Sequence, residues 1–246
     1  MSGTSTEWFE SWFESPYYDL LYSKRNTEEA SNFIDSLLEK LNIESQSTLL
    51  DLACGKGRHS VYLNKKGFDV TGLDLSERSI AYAGQFQNET LKFLIGDMRV
   101  SLDLKFNLIL NLFTSFGYFD SDLENLKVFK AVKAMLHTDG TFILDYLNGD
   151  KIPKDLDCSE ITTLSNVEFN VSKKVVNGYV IKQIKIKEGN TVHEFIEKVR
   201  LYCFHDFKKM FNASGFRIVE AYGDYNLSPF NEQTSDRIIF FTKLIA

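Results

Sequence analysis

Cysteine is scarce in this sequence, and the few cysteines are not arranged for cross-linking or metal binding. The 246 residues include three of them, Cys54, Cys158 and Cys203, which are widely spaced and form no CxxC pair. Disulfide frameworks need an even, dense set of cysteines, and structural zinc sites need closely spaced pairs. The spacing fits neither, so we expect reduced thiols, no metal site and a cytoplasmic location.

Basic clusters and long apolar runs are also missing. The formal net charge is -6 and no block of Lys and Arg stands out, so a nucleic-acid backbone would meet a repulsive average field. No apolar run approaches membrane-spanning length, and the opening MSGTSTEWFESWF carries acids where a secretory signal has basic residues. We therefore expect neither nucleic acid nor a membrane as a partner, while monomer and dimer both stay open.

The middle of the chain alternates predicted strands with predicted helices. Apolar residues make up 43% of the sequence, which is ordinary for a folded domain, and 246 residues suffice for one domain with an insertion. The predicted strands are 48–53, 68–76, 91–98, 106–113 and 140–148. The predicted helices are 28–41, 58–67, 77–87 and 122–137. Alternation of this kind demands a parallel sheet that is covered on both faces, the doubly wound α/β class.

The pattern changes after Asn148. Residues 161–202 alternate with a period of two, as in YVIKQIKIK and EFIEKVRLY, and the turn signals Asn177-Gly178 and Gly189-Asn190 punctuate them. A helix at 205–215 and two further strands then return to the first pattern. We therefore predict one domain from 1–150 and 203–246, with an antiparallel β insertion at 151–202.

The stretch LLDLACGKGRHS places two glycines between a strand and a helix. A turn of the form Gly55-x-Gly57 lets backbone amides approach a ligand near a helix N-terminus, although a tight turn without a ligand needs the same glycines. A dinucleotide fingerprint would have a third glycine where Ser60 stands, and an acid at Asp51 is not part of that pattern. The nicotinamide interpretation is therefore weakened.

Acids end or adjoin three consecutive predicted strands. Asp51 precedes the glycine turn, Asp74 ends the second strand 17 residues after Gly57, and Asp97 ends the third. The carboxyl ends of parallel strands form one edge of a sheet, where doubly wound folds bind their ligands. A single acid at a strand end is commonly just a polar residue, but three acids with the glycine turn favour a ligand site.

These motifs resemble, in order and spacing, those of class I S-adenosylmethionine-dependent methyltransferases. The resemblance is carried by LLDLACGKGRHS, VTGLDLSERSIAYA, LIGDMR, FNLILNLFTSFGYF and KAMLHTDGTFILDYLN, over 17–148 and again from Arg200 onward. It implies a Rossmann-like, seven-stranded sheet whose last strand is antiparallel, with S-adenosyl-L-methionine as the cofactor. Ala53 stands where the family has its first glycine, and HTDG replaces the usual Pro-Gly-Gly turn.

The resemblance also implies a set of cofactor contacts. Asp51 and the backbone of 53–57 would serve the methionine part, together with 111–113, whereas Asp74 would hold the ribose and Asp97 with Met98 the adenine. The amino-terminal aromatic segment would form a lid. The full set is Tyr18, Tyr22, Arg25, Asp51, Ala53, Cys54, Gly55, Gly57, Asp74, Leu75, Gly96, Asp97, Met98, Asn111, Leu112 and Phe113.

The insertion bears on the methyl acceptor. It resembles that of small-molecule methyltransferases acting on amino sugars or amino acids, and the candidate substrate contacts are Tyr118, Tyr146, Arg200 and Tyr225. Methyl transfer from a sulfonium needs no acid for its leaving group, so no catalytic residue is assigned. We expect methyl transfer to an N- or O-nucleophile of a small molecule. A catalytically silent protein that binds the same cofactor is the alternative, and a nicotinamide oxidoreductase is the third hypothesis.

Overall fold

The computed structural model describes residues 7–23 and 27–245, with the backbone alone at Thr27. Contacts divide the described chain into a larger unit, 27–151 and 202–245, and a smaller unit, 7–23 and 152–201. The amino-terminal segment, which the sequence assigns to the first domain, thus groups with the insertion.

The described helices and strands follow one another in the order that the sequence predicts. The helices are α1 (Trp8–Phe13), α2 (Pro16–Leu21), α3 (Thr27–Leu41), α4 (Arg58–Lys65), α5 (Glu77–Ala83), α6 (Asp122–Met135) and α7 (Phe204–Ser214). The strands are β1 (Thr48–Leu52), β2 (Asp69–Asp74), β3 (Leu91–Ile95), β4 (Phe106–Asn111), β5 (Leu136–Leu147), β6 (Asp157–Leu164), β7 (Val167–Val176), β8 (Tyr179–Glu188), β9 (Thr191–Arg200), β10 (Phe216–Tyr222) and β11 (Arg237–Leu244). Within the described ranges, no helix has the length and apolar composition needed to cross a bilayer.

The larger unit is built on a seven-stranded sheet. Its strand order is β10-β11-β5-β4-β1-β2-β3, and β11 runs antiparallel to both of its neighbours while the other pairings are parallel. The adjacent residues Leu49 and Leu50 point to opposite faces and both are fully buried, so both faces of the sheet are covered. The predicted fold class is confirmed.

The strand order reverses between β4 and β1. From β1 the chain proceeds outward through β2 and β3, whereas β4 and β5 lie on the other side of β1. In open α/β sheets, such a switch point leaves a crevice at the carboxyl ends of the two central strands, and ligands bind there. We therefore expect the loops after β1 and β4 to form a ligand site.

The junction between α6 and β5 differs from the prediction. The predicted helix continues to His137 and the predicted strand begins at Gly140, but α6 ends at Met135 and β5 begins at Leu136. Leu136 is buried and pairs with Phe106 of β4, so the chain turns directly from helix to strand. The predicted helix starts agree more closely with the structure. At α5, for example, the Ser76 hydroxyl caps the helix by accepting a hydrogen bond from the Ser79 amide.

The smaller unit is a four-stranded antiparallel sheet in the order β6-β7-β8-β9. The β7–β8 turn is confirmed at Asn177 and Gly178, which both have positive φ (51° and 76°), as a two-residue type I′ turn requires. The first strand begins at Asp157, four residues before the predicted start of the alternating pattern. Trp12 of α1 is fully buried against this sheet and packs on Phe195, so the amino-terminal aromatics complete the core of the smaller unit.

Candidate active site

The loop after β1 has an unusual backbone. Ala53, Gly55 and Gly57 all have positive φ, at 64°, 54° and 76°. A Cβ on Gly57 would lie 2.5 Å from the Phe93 ring, so the close packing of this turn requires glycine. A Cβ on Gly55 would have nothing within 4 Å, so the loop backbone is open on that side to a ligand.

Asp74 ties this loop to the end of β2. One carboxylate oxygen accepts a hydrogen bond from the Gly55 amide at 2.7 Å, and the other accepts one from the Ser76 amide at 2.9 Å. These two bonds hold the carboxylate between the glycine loop and the start of α5. The ribose assignment of Asp74 stays a prediction, and Leu75 beside it is 38% exposed.

Asp51 is buried beside the same loop. The Ser60 hydroxyl of α4 donates to its carboxylate at 2.6 Å, yet burial raises the pKa of Asp51 to about 6 against this bond. Burial also raises the pKa of the Cys54 thiol, with the Asp51 charge as the second cause, so Cys54 stays protonated. The site therefore contains an acid whose pKa lies near neutrality, Asp51, and a thiol that stays protonated, Cys54.

Asn111 connects the two strands that flank the switch point. Its amide nitrogen donates to the carbonyl of Leu52 at 2.9 Å and to that of Ser115 at 3.1 Å. Its Oδ1 is buried and has no hydrogen-bond partner among residues 7–23 and 27–245. A buried acceptor of this kind suits a ligand that brings a donor, such as an ammonium group. Leu112, which follows, is buried, so its side chain belongs to the core.

Phe113 joins the loop after β4 to the start of α4. Its ring stacks on His59 with centroids 5.0 Å apart and planes 6° apart, and the Arg58 guanidinium lies 5.2 Å from the same ring. Neither His59 nor Arg58 is among the cofactor contacts that the sequence implies. Their position directly after Gly57, at the start of a helix on the carboxyl edge, was the available signal.

Tyr225 of the β10–β11 loop, one of the predicted substrate contacts, extends this aromatic group. Its ring lies 4.5 Å from Phe33 and 5.1 Å from Phe113, with the Arg237 guanidinium 5.0 Å above it. Burial, and then the charge of Asp145, raise the pKa of Tyr225 far above its usual range. A cavity of about 430 Å³ adjoins this ring. It is lined by Glu28, Glu29, Asn32, Phe33, Asp224, Tyr225 and Asn226.

Asp97, the predicted adenine contact, is already held by Arg99. The guanidinium donates to its carboxylate at 2.6 and 2.9 Å and lies 4.2 Å from the Phe119 ring. Burial acts to raise the pKa of Asp97, but the bonds and charge of Arg99 outweigh it and lower the pKa. Met98 beside it is half-buried, and Gly96 is packed against Leu73 so closely that a Cβ would lie 2.7 Å from that side chain.

The remaining candidates are spread over both units. Tyr118 donates its hydroxyl to the Thr114 carbonyl in the loop after β4, and Tyr146 is fully buried against Phe207. The smaller unit contains Tyr18, Tyr22 and Arg200, and Arg25 lies outside the described residues. The structure thus brings together the loop 53–57, Asp51, Asp74, Asn111, Phe113 and Tyr225.

The geometry is that of a ligand-binding crevice at the switch point of a doubly wound sheet. A family model described as a methyltransferase domain matches residues 43–200, more than half of the chain. The chain belongs to this methyltransferase family. It is an S-adenosylmethionine-dependent methyltransferase, as the motifs of its first 150 residues imply.

Known relatives cover different shares of the chain. A dTDP-3-amino-3,4,6-trideoxy-alpha-D-glucopyranose N,N-dimethyltransferase of Streptomyces venezuelae is 26% identical over 82% of this chain and 89% of its own. A glycine/sarcosine/dimethylglycine N-methyltransferase of Actinopolyspora halophila is 32% identical over 57% of this chain but only 26% of its own. The chain aligns with about half, 54%, of the Bacillus subtilis methyltransferase-type protein YqeM, at 32% identity.

Solved structures share the fold. A Clostridium acetobutylicum S-adenosylmethionine-dependent methyltransferase has a TM-score of 0.79, with 22% identity, over 94% of this chain and 96% of that one. DesVI of Streptomyces venezuelae has a TM-score of 0.68, with 21% identity, over 93% and 97%. At these identities the likeness shows the fold alone.

Proposed function

We propose that the methyltransferase moves a methyl group from S-adenosylmethionine to the amino nitrogen of a small molecule. The observation that carries this proposal is the cavity beside Tyr225, which combines carboxylates with two aromatic faces. Ammonium groups bind favourably to both, through ion pairing and through the negative face of an aromatic ring. The names of the Streptomyces and Actinopolyspora relatives, both N-methyltransferases, support the same acceptor class.

The residues at the switch point fit the cofactor. The open side of Gly55 lets the loop backbone approach a ligand, and the unpaired Asn111 Oδ1 offers a buried acceptor. We assign Asp51 and 53–57 to the methionine part, with Asn111 and 112–113 beside it, Asp74 to the ribose, and 96–98 to the adenine. When bound, S-adenosylmethionine supplies an electrophilic methyl group on a positively charged sulfur.

The chain contributes mainly by positioning and by handling a proton. An amine must lose its proton before its nitrogen can attack, and Tyr225 cannot take that proton because its raised pKa keeps the hydroxyl protonated. Among the residues that line the cavity, the carboxylates of Glu28, Glu29 and Asp224 are the groups able to accept it. Holding nucleophile and methyl group in line supplies on the order of 7–11 kcal/mol of the barrier reduction.

The proposal is tested with matched pairs of acceptors. Mass spectrometry would follow methylation of glycine and of a dTDP-linked amino sugar, each beside its hydroxyl counterpart, glycolate and the parent dTDP-sugar. We expect methyl transfer to an amine and none to its hydroxyl partner. Methylation of hydroxyl compounds alone would contradict the amine assignment, and binding of the cofactor without turnover on any amine would favour a silent binding protein.

Charge variants of the cavity provide a second test. Glu29→Gln removes a carboxylate that lines the cavity, and we expect the KM for the amine to rise while the affinity for S-adenosylmethionine is unchanged. Asp35→Asn is the matched control, because Asp35 lies on the same helix but bonds to Tyr62 and Lys66 instead of lining the cavity. Equal KM values for the two variants would show that the cavity is not part of the acceptor site.

The cysteines bear on location. Cys54 is buried and Cys158 exposed, and with Cys203 all three are free thiols. We propose on this basis, as from the sequence, that the enzyme works in the reducing environment of the cytoplasm.

A further inference from the structure

The loop after β4 is strained. Phe113 and Thr114 are consecutive non-glycine residues with positive φ, at 58° and 62°. Each such conformation costs roughly 1–2 kcal/mol for an L-residue, and Thr, being β-branched, tolerates it poorly. Two in succession persist only where surrounding contacts over-determine them. The contacts that do so here come from β5 and β11.

Asp145, at the carboxyl end of β5, holds the backbone of this loop. Its carboxylate accepts a hydrogen bond from the Phe113 amide at 2.7 Å, and its main-chain carbonyl accepts one from the Thr114 amide at 3.1 Å. Asp145 is fully buried, so its charge needs a partner within the protein. Arg237 provides that partner.

Arg237, the first residue of β11, bridges three groups. Its Nε donates to the Asp145 carboxylate at 2.6 Å, its Nη2 donates to the Thr114 hydroxyl at 3.0 Å, and its guanidinium lies over the Tyr225 ring. Burial alone would lower the pKa of Arg237, but the Asp145 charge outweighs it and the pKa is raised, so the guanidinium stays charged. A planar guanidinium serves this geometry, because a lysine ammonium cannot reach both acceptors in a fixed fork.

We propose that Asp145 and Arg237 are positioning residues, which hold the strained Phe113–Thr114 turn and the Tyr225 ring as one wall of the cofactor crevice. The turn follows β4 at the switch point, and its Phe113 ring stacks on His59 at the start of α4. The pair thus acts on the crevice through the turn and through Tyr225. This inference rests on the proposed function, because it takes the crevice to be the S-adenosylmethionine site.

A pair of variants at Thr114 tests the inference. Thr114→Val keeps the shape and removes the hydroxyl that Arg237 bonds, whereas Thr114→Ser keeps the hydroxyl. Calorimetric titration with S-adenosylmethionine should show affinity lowered about ten-fold by Thr114→Val and by Arg237→Lys, because the turn loses a bond that pre-organises it and binding must then order it. Thr114→Ser should bind within about two-fold of the parent, since the bond is kept.

Asp236→Asn is the control for charge beside the site. Asp236 precedes Arg237, is 87% exposed and pairs with Lys151 at 3.3 Å, so its loss should leave binding unchanged. Parent-like affinity of folded Thr114→Val and Arg237→Lys would overturn the inference, as would equal loss in Thr114→Ser and Thr114→Val. Should Arg237→Lys fail to fold, the Thr114 pair decides. Binding needs no acceptor, so an absence of amine methylation would defeat the proposed function alone.

Discussion

The Ser60 hydroxyl donates a hydrogen bond of 2.6 Å to the Asp51 carboxylate, and both side chains are buried. The bond joins the first turn of α4 to β1, directly beneath the glycine loop. Ionisation of such a buried carboxylate is unfavourable because the charge lacks hydration, which a single hydroxyl only partly replaces. Asp51 therefore links the stability of the protein to pH.

Asp51→Asn should stabilise the protein at neutral pH. Because the folded pKa, about 6, lies above the unfolded value, Asp51 favours folding at low pH and loses that contribution as pH rises through 6. A shift of this size corresponds to roughly 3 kcal/mol. Urea unfolding of parent and variant between pH 4.5 and 7.5 should show the difference in unfolding free energy growing with pH. A difference that is flat across this range would contradict the raised pKa.

Asp74→Asn should weaken cofactor binding. The variant keeps a side chain of the same shape beside Gly55 and Ser76 but loses the charge and one of the two acceptor oxygens, and a hydrogen bond to a charged group is worth roughly 1.5–3 kcal/mol. Titration with S-adenosylmethionine should show affinity reduced about ten- to one-hundred-fold. Ser76→Ala is the control, because it removes the cap of α5 at about 1 kcal/mol without touching the carboxylate. The ribose assignment is wrong if folded Asp74→Asn binds as tightly as the parent.

Alanine at the two loop glycines should have opposite effects. Gly57→Ala drives a methyl group into the Phe93 ring at positive φ, so we expect a clear fall in melting temperature. Gly55→Ala meets no atom within 4 Å and costs only the unfavourable φ, about 1 kcal/mol, but its methyl group occupies the side open to a ligand. Thermal melts combined with cofactor titration should show Gly55→Ala impaired mainly in binding. The reverse ranking of melting temperatures would count against this loop geometry.

Glu197→Gln should destabilise the smaller unit. Glu197 accepts hydrogen bonds from Trp12, Tyr22 and Lys182, and its side chain is 13% exposed. Burial acts to raise the pKa of Glu197, but the Lys182 charge and these bonds outweigh it, and the pKa is lowered. Its contribution is therefore present above the unfolded pKa, about 4.3, and is lost as pH falls through the folded value.

Removing one partner of a buried ion pair costs roughly 3–5 kcal/mol, so hydrogen exchange in 7–23 and in β8 and β9 should accelerate in Glu197→Gln at pH 7. Glu194→Gln is the matched control on the same strands. Its pair with Lys185 is exposed, with a separation of 3.4 Å, and should contribute at most about 1 kcal/mol. Equal exchange in the two variants would mean that the buried ion pair does not hold the segment.

The sequence predicted the features that depend on local pattern. The glycine turn and the Asn177-Gly178 hairpin follow from backbone rules that act over a few residues, and the structure contains both. Asp74 ends β2 as predicted, whereas β3 ends at Ile95, two residues before Asp97. The α6–β5 junction was misplaced because HTDG has the composition of a turn, whereas burial of Leu136 against β4 decides the local conformation.

Other features depend on contacts that no local pattern contains. Asp145 and Arg237 are 92 residues apart, and their pairing follows only from the antiparallel alignment of β5 and β11. Likewise, helical spacing identifies Trp12 as a packing residue without showing that its partners lie in the insertion. For Arg58 and His59, the sequence indicates a position at the start of a helix on the carboxyl edge, but their packing on Phe113 of the loop after β4 is visible only in the structure.

The hydrogen bond from Trp12 to Glu197 spans 185 residues of chain. At a synthesis rate of about 5–20 residues per second, roughly ten to forty seconds separate the emergence of the two side chains from the ribosome. During that interval α1 and α2 lack the sheet that buries their aromatic faces, while the larger unit's first four strands are already synthesised. Helices α1 and α2 are thus made well before the strands that bury them, and during this interval their aromatic faces leave the nascent chain open to chaperones and to aggregation.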